Sequence, residues 1–367
     1  MELTMTRLAL RSLASAIACS MAASPSGLSM NPTTIFTCAP VLLVPIVADW
    51  TMLRGSPDAT KGGAGKVEGS YRGAQMRLGV IVPQGWIGEY DGWDPAEAWT
   101  RTVRVAEQAD ALGFESIWTY DHFHTVPKPT QEITFESFST LAALGSVTKR
   151  VRLGHVVICA GFRNPALTAK MVSTMDVQTG GRMEFGIGAG WKRDEWEAYG
   201  YGFPSTGDRL ANLGDQLEII AKMMEPGPTT YEGDHASVRD AINVPKPLQR
   251  PRVPIMVGGN GPEVTWRLAA RHADELNLDG LTPDELADAL PVIASRCEEI
   301  DRDPADLRIS VHVFATRFTE AGPARVDLLG RYAELGVSRV MGLVSTCIDT
   351  DTALDELIAD AAEAGIN

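Results

Sequence analysis

An aspartate and a histidine stand together where an apolar segment ends, in the run Tyr120-Asp121-His122-Phe123-His124. The segment before them, residues 116–120, has the composition of a buried strand. Imidazole is the side chain that changes charge nearest neutral pH, so a histidine at the end of a buried strand is suited to moving a proton. We therefore predict that His122 is a catalytic acid–base group and that Asp121 orients the site.

Two glycine-rich runs follow other apolar segments. They are Gly186-Ile187-Gly188-Ala189-Gly190-Trp191 and Gly258-Gly259-Asn260-Gly261-Pro262. Glycines let a ligand approach the backbone closely, and free N–H groups at the start of a helix bind phosphate. The first run is not a dinucleotide-binding GxGxxG motif, because Trp191 stands where its last glycine would be. We predict that residues 188–191 and 258–261 hold a phosphate-bearing cofactor.

A third apolar run leads into a polar turn, in the order Val156-Val157-Ile158-Cys159-Ala160-Gly161 and then Phe162-Arg163-Asn164-Pro165. A strand end of small apolar residues can lie against a flat ring, so we predict ring contacts from Val156, Val157 and Cys159. Arg163 offers a guanidinium to an anion, and Asn164 is placed to cap the helix that follows. Cys159 is expected to pack rather than to act as a nucleophile, because no base is adjacent in sequence.

From Met76 onward, apolar runs alternate with stretches of helical period. The predicted strands cover residues 77–82, 116–120, 151–158, 182–187, 254–257, 275–278, 308–315 and 338–344. The predicted helices cover residues 95–112, 135–147, 166–178, 209–224, 263–271, 283–300, 324–335 and 352–364. Asp94 is the expected N-cap of the first helix, and Gly113 is expected to end it.

Eight strand-then-helix units predict an α/β fold of the (β/α)8 TIM-barrel type. A doubly wound sheet is the alternative, because periodicity does not show closure. Residues 191–208 are interpreted as a loop, and the Pro-rich residues 225–252 as an inserted hairpin or loop. In a barrel the active site lies where strands end, so the three segments above are expected to meet at one mouth.

The chain of 367 residues carries 33 Lys and Arg against 47 Asp and Glu, a formal charge of −14. This balance does not favour nucleic acid or an anionic membrane as a partner, and a small-molecule substrate is expected instead. The five cysteines form no CxxC pair and the six histidines no HExxH motif. We therefore expect no disulfide framework, no metal site and a reducing, cytoplasmic location.

Residues 1–75 differ in character from the rest of the chain. Arg7 and Arg11 precede a small-residue apolar stretch, and a Gly-, Ser- and Lys-rich segment closes the region. An export signal is one interpretation. We favour a disordered leader and linker, or a start placed too far upstream, because the apolar stretch is weak. The predicted functional domain is residues 76–367.

The motifs taken together resemble the bacterial luciferase-like superfamily, most closely its coenzyme F420-dependent oxidoreductase branch. The resemblance rests on these runs: Arg77-Leu78-Gly79-Val80, Ser116-Ile117-Trp118, Asp121-His122-Phe123, Arg163-Asn164-Pro165-Ala166-Leu167, Lys170-Met171, Asp176-Val177, Gly181-Arg182, the first glycine-rich run, and Pro254-Ile255-Met256-Val257-Gly258-Gly259. It covers about residues 76–345, and residues 1–75 have no counterpart in it.

The resemblance implies a TIM barrel that binds a flavin or deazaflavin at its mouth, with Asp121 and His122 against the ring system. It implies that the end of the third strand backs the ring, often with a non-prolyl cis peptide, which here would fall near Val156–Val157. The loops 188–191 and 258–261 would hold the ribityl-phosphate end. A homodimer is also implied.

Three positions depart from the pattern of the relatives. His155 and Ile158 stand where relatives often carry threonine. Trp191 stands where the branch resembling sugar-phosphate dehydrogenases places a glutamate. A sugar-phosphate substrate is therefore not expected.

The resulting hypothesis is hydride transfer between a small organic substrate and carbon 5 of F420, with His122 moving the accompanying proton. Arg163, Lys192 or Arg193 would meet the anionic tail of the cofactor. One alternative is an FMN-dependent monooxygenase that uses reduced flavin and O2. Another is a non-catalytic flavin-binding protein, which the presence of Asp121, His122 and both glycine-rich loops disfavours.

Overall fold

The structure, a computed structural model, describes residues 75–366. Residues 1–74, and with them the predicted leader and linker, lie outside the described residues. Within the described part, no helix combines the length and the apolar composition that a membrane crossing requires.

Parallel strands form a closed barrel. The strands of the described chain are β1 (Arg77–Ile81), β2 (Ser116–Thr119), β3 (Arg152–His155), β4 (Ile158–Cys159), β5 (Met183–Gly188), β6 (Thr229–Glu232), β7 (Ser237–Ala241), β8 (Ile255–Gly258), β9 (Glu275–Asp279), β10 (Arg308–Val313) and β11 (Arg339–Gly342), and all except β6 and β7 belong to the barrel sheet. Their order is β3-β2-β1-β11-β10-β9-β8-β5, and β5 pairs back with β3. The ring is therefore closed, which confirms the TIM barrel over the doubly wound sheet.

Helices follow the strands around the barrel. They are α1 (Pro95–Leu112), α2 (Ser137–Val147), α3 (Pro165–Gln178), α4 (Arg193–Ala198), α5 (Thr206–Met224), α6 (Thr265–His272), α7 (Pro283–Glu298), α8 (Ala315–Phe318), α9 (Pro323–Glu334) and α10 (Ala353–Glu363). The Asp94 side chain accepts hydrogen bonds from two backbone amides at the start of α1, and Gly113 ends α1 at φ 84°. Both predicted caps are confirmed.

The inserted region folds as a hairpin. β6 and β7 pair antiparallel and form a two-stranded sheet apart from the barrel. This confirms the hairpin predicted within residues 225–252.

Two predicted strands and one predicted loop were wrong in detail. The predicted third strand, residues 151–158, is divided into β3 and β4. The predicted seventh strand, residues 308–315, ends at Val313, because α8 begins at Ala315. The predicted loop 191–208 contains α4, whose Glu195 and Trp196 are buried. A helix this short shows no helical period in the sequence. It is stabilised by its tertiary contacts.

The barrel interior is built in layers, because alternate residues of a strand face inward. In the lowest layer, Arg339 pairs with Glu275 (Nη1–Oε2 3.1 Å) and with Glu115 (Nη2–Oε1 2.8 Å). In the layer above, Asn277 donates a hydrogen bond to Ser310 (2.9 Å). Two residues further along the same strands come Asp279 and His312, which lie at the C-terminal mouth of the barrel.

Candidate active site at the barrel mouth

His122 is held by a buried carboxylate from another loop. Its Nδ1 lies 2.9 Å from Glu195 Oε2, and the two side chains are 13% and 1% exposed. The other oxygen of Glu195 accepts a hydrogen bond from the Phe123 amide (2.6 Å). An ionised carboxylate only accepts hydrogen bonds, so a neutral His122 carries its proton on Nδ1 and has Nε2 as the basic nitrogen.

Two tryptophans flank the His122 imidazole. Trp86 stacks on it at 5.5 Å between ring centroids, and Trp191 meets it edge-on at 6.1 Å. Trp191 is 64% exposed, so its indole forms part of the outer rim of the mouth. The His122 ring is thus fixed in orientation by one hydrogen bond to Glu195 and two aromatic contacts.

Asp121 lies beside His122 but faces a different set of partners. Its carboxylate accepts two hydrogen bonds from the Arg163 guanidinium, at 2.7 and 2.8 Å. It also accepts one from the Cys159 amide (2.8 Å). Asp121 therefore ties the end of β2 to the end of the third barrel strand, which is a positioning role within the site.

Arg163 and Asn164 are both engaged within the protein. The Arg163 guanidinium also donates to Glu136 (2.9 Å) and lies over the Phe138 ring. The Asn164 side chain caps α3 by accepting from the amides of Ala166 and Leu167. A cavity of about 440 Å³ borders both residues. The cap that the sequence predicts for Asn164 is present, and a cofactor contact by either residue stays a prediction.

Cys159 packs in a small apolar cluster with Phe162 and Trp196. Burial, reinforced by the charge of Asp121, raises the pKa of the Cys159 thiol far above its ordinary value. A thiol that stays protonated is a poor nucleophile. The structure therefore agrees with a packing role.

The third barrel strand bulges into the mouth at Val157. Between the pairs Gly154–Glu184 and Ile158–Ile187, this strand advances four residues while β5 advances three. One extra residue in a strand is a bulge, which re-aims the side chains beside it. The Val156–Val157 peptide bond is cis, as the resemblance predicted.

Glycines on the neighbouring strands make room for the Val157 side chain. A Cβ added at Gly188 would lie 2.9 Å from a Val157 methyl, and one at Gly258 would lie 2.9 Å from another. A side chain at either position would push Val157 away. The glycines at these strand ends therefore leave room for Val157, whose side chain forms an apolar wall at the mouth.

The loop after β5 packs tightly at Gly190. This residue has φ +78°, and an added Cβ would lie 2.3 Å from Cys159 Sγ. Ala189 and Trp191 flank it at the mouth. Lys192 is held by the Pro127 carbonyl (2.7 Å) and by Asp194 (2.6 Å), and Arg193 pairs with Glu197 on the surface.

The loop after β8 leaves two backbone amides without a partner. Gly259 N donates to the Asn277 carbonyl (3.0 Å), and the Asn260 side chain bridges to both backbone groups of Asp279. In the described part of the chain, the amides of Asn260 and Gly261 donate no hydrogen bond. They precede α6, which has no side-chain cap. Such amides, in a loop that leads into a helix, suit a phosphate.

A second imidazole lies at the mouth, which the sequence reasoning missed. His312 Nε2 lies 2.6 Å from the Tyr120 hydroxyl, and its Nδ1 lies 2.8 Å from Asp279 Oδ1. These residues belong to the ends of β10, β2 and β9. A signal was present, because each occupies an inward position at a strand end. The partner Glu195 carried no comparable signal, since it follows its strand by several residues in an unrecognised helix.

His155 faces away from the mouth, against the Phe138 ring, and is fully buried. Neither ring nitrogen has a hydrogen-bond partner. Burial, with a contribution from Arg163, lowers the pKa of His155 to about 3. This imidazole is a neutral packing residue.

The described residues at the mouth fit a flat, phosphate-bearing redox cofactor. No group of three or more metal-ligating side chains occurs within residues 75–366. The mouth instead combines an apolar wall at Val157, free amides before α6 and an oriented imidazole. A Cβ would obstruct that wall at Gly188 and Gly258.

Known proteins resemble this chain in sequence or in fold. An F420-dependent glucose-6-phosphate dehydrogenase of Intrasporangium calvum is 33% identical over 197 residues, which are 53% of this chain and 57% of that protein. The chain therefore spans less than two thirds of that relative.

Two solved structures show the same fold. An F420-dependent secondary alcohol dehydrogenase in complex with an F420–acetone adduct has a TM-score of 0.65 at 20% identity, covering 78% of this chain and 99% of that chain. The coenzyme F420-dependent tetrahydromethanopterin reductase of Methanopyrus kandleri has a TM-score of 0.61 at 18% identity, covering 75% and 97%. The sequence model of luciferase-like monooxygenases matches residues 76–320. The chain belongs to the luciferase-like monooxygenase family.

Proposed function

We propose that this protein is an F420-dependent oxidoreductase that transfers a hydride between the deazaflavin and a small organic substrate. The observation that carries the proposal is the His122–Glu195 pair, which lies at the barrel mouth. The F420-dependent glucose-6-phosphate dehydrogenase among the relatives supports the choice of cofactor.

The chain offers separate surfaces to the two ends of such a cofactor. Val157, with the glycines beside it, would back the ring, and the amides of Asn260 and Gly261 would hold the phosphate. When bound, the deazaflavin supplies a carbon that accepts or gives a hydride. The protein contributes position and orientation.

His122 is the proton acceptor in this proposal. Because Glu195 engages Nδ1, the basic Nε2 is available to the hydroxyl of a substrate. The buried carboxylate also stabilises the imidazolium that forms when the proton arrives. Glu195 is thus a positioning residue, and His122 is the catalytic one.

The substrate we propose is a small alcohol or its carbonyl counterpart. Trp86 and Trp191 flank His122 with apolar surface. Trp191 also replaces the glutamate of the sugar-phosphate branch, so a charged sugar is disfavoured. The solved F420-dependent secondary alcohol dehydrogenase lends support to an alcohol.

Fluorescence titration of the full chain with F420 and with FMN tests the proposal. We expect micromolar binding of F420 and much weaker binding of FMN. Binding of FMN without binding of F420 would reject the deazaflavin. In that case, oxygen consumption that depends on reduced FMN would identify a monooxygenase.

A further inference from the structure

Tyr120, His312 and Asp279 form a hydrogen-bonded chain across the inner face of the barrel mouth. The Tyr120 hydroxyl lies 2.6 Å from His312 Nε2, and His312 Nδ1 lies 2.8 Å from Asp279 Oδ1. Since a carboxylate only accepts, a neutral His312 donates from Nδ1 and accepts at Nε2. The Tyr120 hydroxyl is then the donor to His312. A catalytic triad has the same order of hydroxyl, imidazole and carboxylate, linked by hydrogen bonds.

The chain runs from the buried interior to solvent. The Tyr120 ring is buried, while His312 and Asp279 side chains are 7% and 56% exposed. A proton that reaches the Tyr120 oxygen therefore has a hydrogen-bonded route to water through two titratable groups. A purely structural hydrogen bond of tyrosine would need neither the imidazole nor the exposed carboxylate.

This chain is separate from the His122–Glu195 pair. The two are divided by Trp86, whose ring centroid lies 3.8 Å from Tyr120 and 5.5 Å from His122. No hydrogen bond links them among the described residues. The mouth therefore has two acid–base groups, each in contact with the Trp86 indole.

We propose that Tyr120 is a second proton-transfer group of this site, positioned and compensated by His312 and Asp279. The inference rests on the proposed function. Oxidation of an alcohol removes a hydride from carbon and a proton from oxygen, and reduction of the deazaflavin adds that hydride to a ring carbon and a proton to a ring nitrogen. No net proton is consumed, but one proton leaves and another arrives at different atoms. His122 takes the first. The Tyr120 hydroxyl supplies the second after His312 has gained a proton from solvent, because Nε2 then donates to the Tyr120 oxygen and the hydroxyl hydrogen is released from its bond to His312.

The charged groups around the chain favour protonation of His312 and keep the Tyr120 hydroxyl protonated until it is used. Asp279 on β9 faces His312. Burial first, and then the charges of Asp279 and Glu89, raise the pKa of Tyr120 well above its ordinary value. Glu89 is engaged by the amides of Gln84 and Gly85. Phe314 contributes only an apolar ring against His312. Both charges are negative, so a proton entering from solvent is attracted toward His312.

Calorimetry of F420 binding, in two buffers of different ionisation enthalpy, counts the protons exchanged on binding. We expect Tyr120→Phe and Asp279→Asn to lower this count by at least half, because binding perturbs the hydroxyl and its imidazole. Tyr90→Phe is the matched control, since it removes another buried tyrosine hydroxyl, which bonds to Thr102 (2.8 Å). That control should keep the wild-type count. Asp279→Asn changes an exposed side chain, so it tests the idea even if Tyr120→Phe does not fold.

Turnover gives a second readout with propan-2-ol as the probe. Tyr120→Phe should lower kcat about 100-fold, with KM little changed, and should remove one limb of the pH profile. Failure of the wild-type protein to bind F420 would overturn the proposed function together with this inference. Binding of F420 with the same proton count in wild type, Tyr120→Phe and Asp279→Asn would overturn this inference alone.

Discussion

Glu195 determines which nitrogen of His122 can take a proton. One of its oxygens is hydrogen-bonded to His122 Nδ1, and the other accepts a hydrogen bond from the Phe123 amide. In Glu195→Gln the anionic acceptor is lost, so the imidazolium is no longer stabilised. We expect kcat to fall about 100-fold while F420 affinity stays within about threefold, as measured by steady-state kinetics and fluorescence titration.

Glu197→Gln is the matched control for Glu195→Gln. Glu197 lies on the same short helix, where it pairs with Arg193 on the surface. It should leave kcat unchanged. Equal losses in the two variants would show that helix α4, and not the carboxylate beside His122, accounts for the effect.

His155 makes the stability of the protein dependent on pH. Burial lowers its pKa to about 3 in the folded protein, against an ordinary value of 6.5. Between those values the unfolded chain binds the proton and the folded chain does not. The free energy of unfolding therefore rises with pH through this window. The contribution of His155 is fully present above about pH 6.5 and is lost progressively as the pH falls toward 3.

Replacing His155 with leucine should remove this contribution. Urea unfolding at pH 7 and pH 5 should show the wild type losing about 2 kcal/mol more than His155→Leu. His235→Gln, in the exposed hairpin, should retain the wild-type difference. An identical pH dependence in wild type and His155→Leu would contradict the assignment.

Residue type and strand position located part of the site from the sequence. The sequence points to Asp121 and His122 because they end a buried strand, and the structure places both at the mouth. Their partners could not be inferred, because Arg163 and Glu195 are distant in the chain. A sequence shows which groups can titrate, and tertiary packing decides which charge each one meets.

At the scale of the elements, the apolar wall at Val157 depends on glycines in the neighbouring strands, which have no side chain to displace it. In Gly258→Ala, the new Cβ would lie about 2.9 Å from Val157 and displace it. We expect F420 affinity to fall about tenfold, since the surface that backs the ring moves. Fluorescence titration measures this change directly.

Gly330→Ala provides the comparison, because no atom lies within 4 Å of its added Cβ. This glycine is inside α9, so alanine should raise the unfolding free energy by up to about 1 kcal/mol. F420 affinity should not change. Unaltered affinity in Gly258→Ala would show that Val157 does not back the cofactor.

Element boundaries were predicted well where local signals exist and poorly where they do not. Asp94, Pro95 and Gly113 mark the ends of α1 in the sequence, and the structure has them as caps. The bulge at Val157 has no such marker, because it arises from the register between β3 and β5. Apolar residues continue through it, so the sequence pattern predicted one unbroken strand.

At the scale of the whole molecule, a buried ionic layer fills the lower end of the barrel. Burial alone would lower the pKa of Arg339, but Glu115, Glu275 and Glu184 raise it well above its ordinary value. Arg339→Leu would remove the one arginine that all three carboxylates share and leave Glu184 and Glu275 to Arg152 and Arg308. We expect the unfolding free energy to drop by about 3–5 kcal/mol in urea denaturation.

Substitution of an exposed arginine distinguishes the effect of burial from the effect of losing a positive charge. Arg267 pairs with Glu263 and Glu299 on the surface, where water screens the interaction. Arg267→Leu should change stability far less than Arg339→Leu. Similar losses in both variants would contradict the importance of the buried layer.

The closed barrel was predicted from the number of strand–helix units, whereas closure itself is a property of pairing. The contact of β5 with β3 completes the ring, and no single segment encodes it. Closure explains why residues 121, 157, 189 and 259 share one mouth although they are far apart in the chain. This convergence is the basis of the proposed deazaflavin site.

A crystal structure of the full chain with F420 tests that site most directly. We expect density for the ring against Val157, with His122 at its edge and the phosphate on the amides of Asn260 and Gly261. Density for the ring or the phosphate elsewhere on the protein would contradict it.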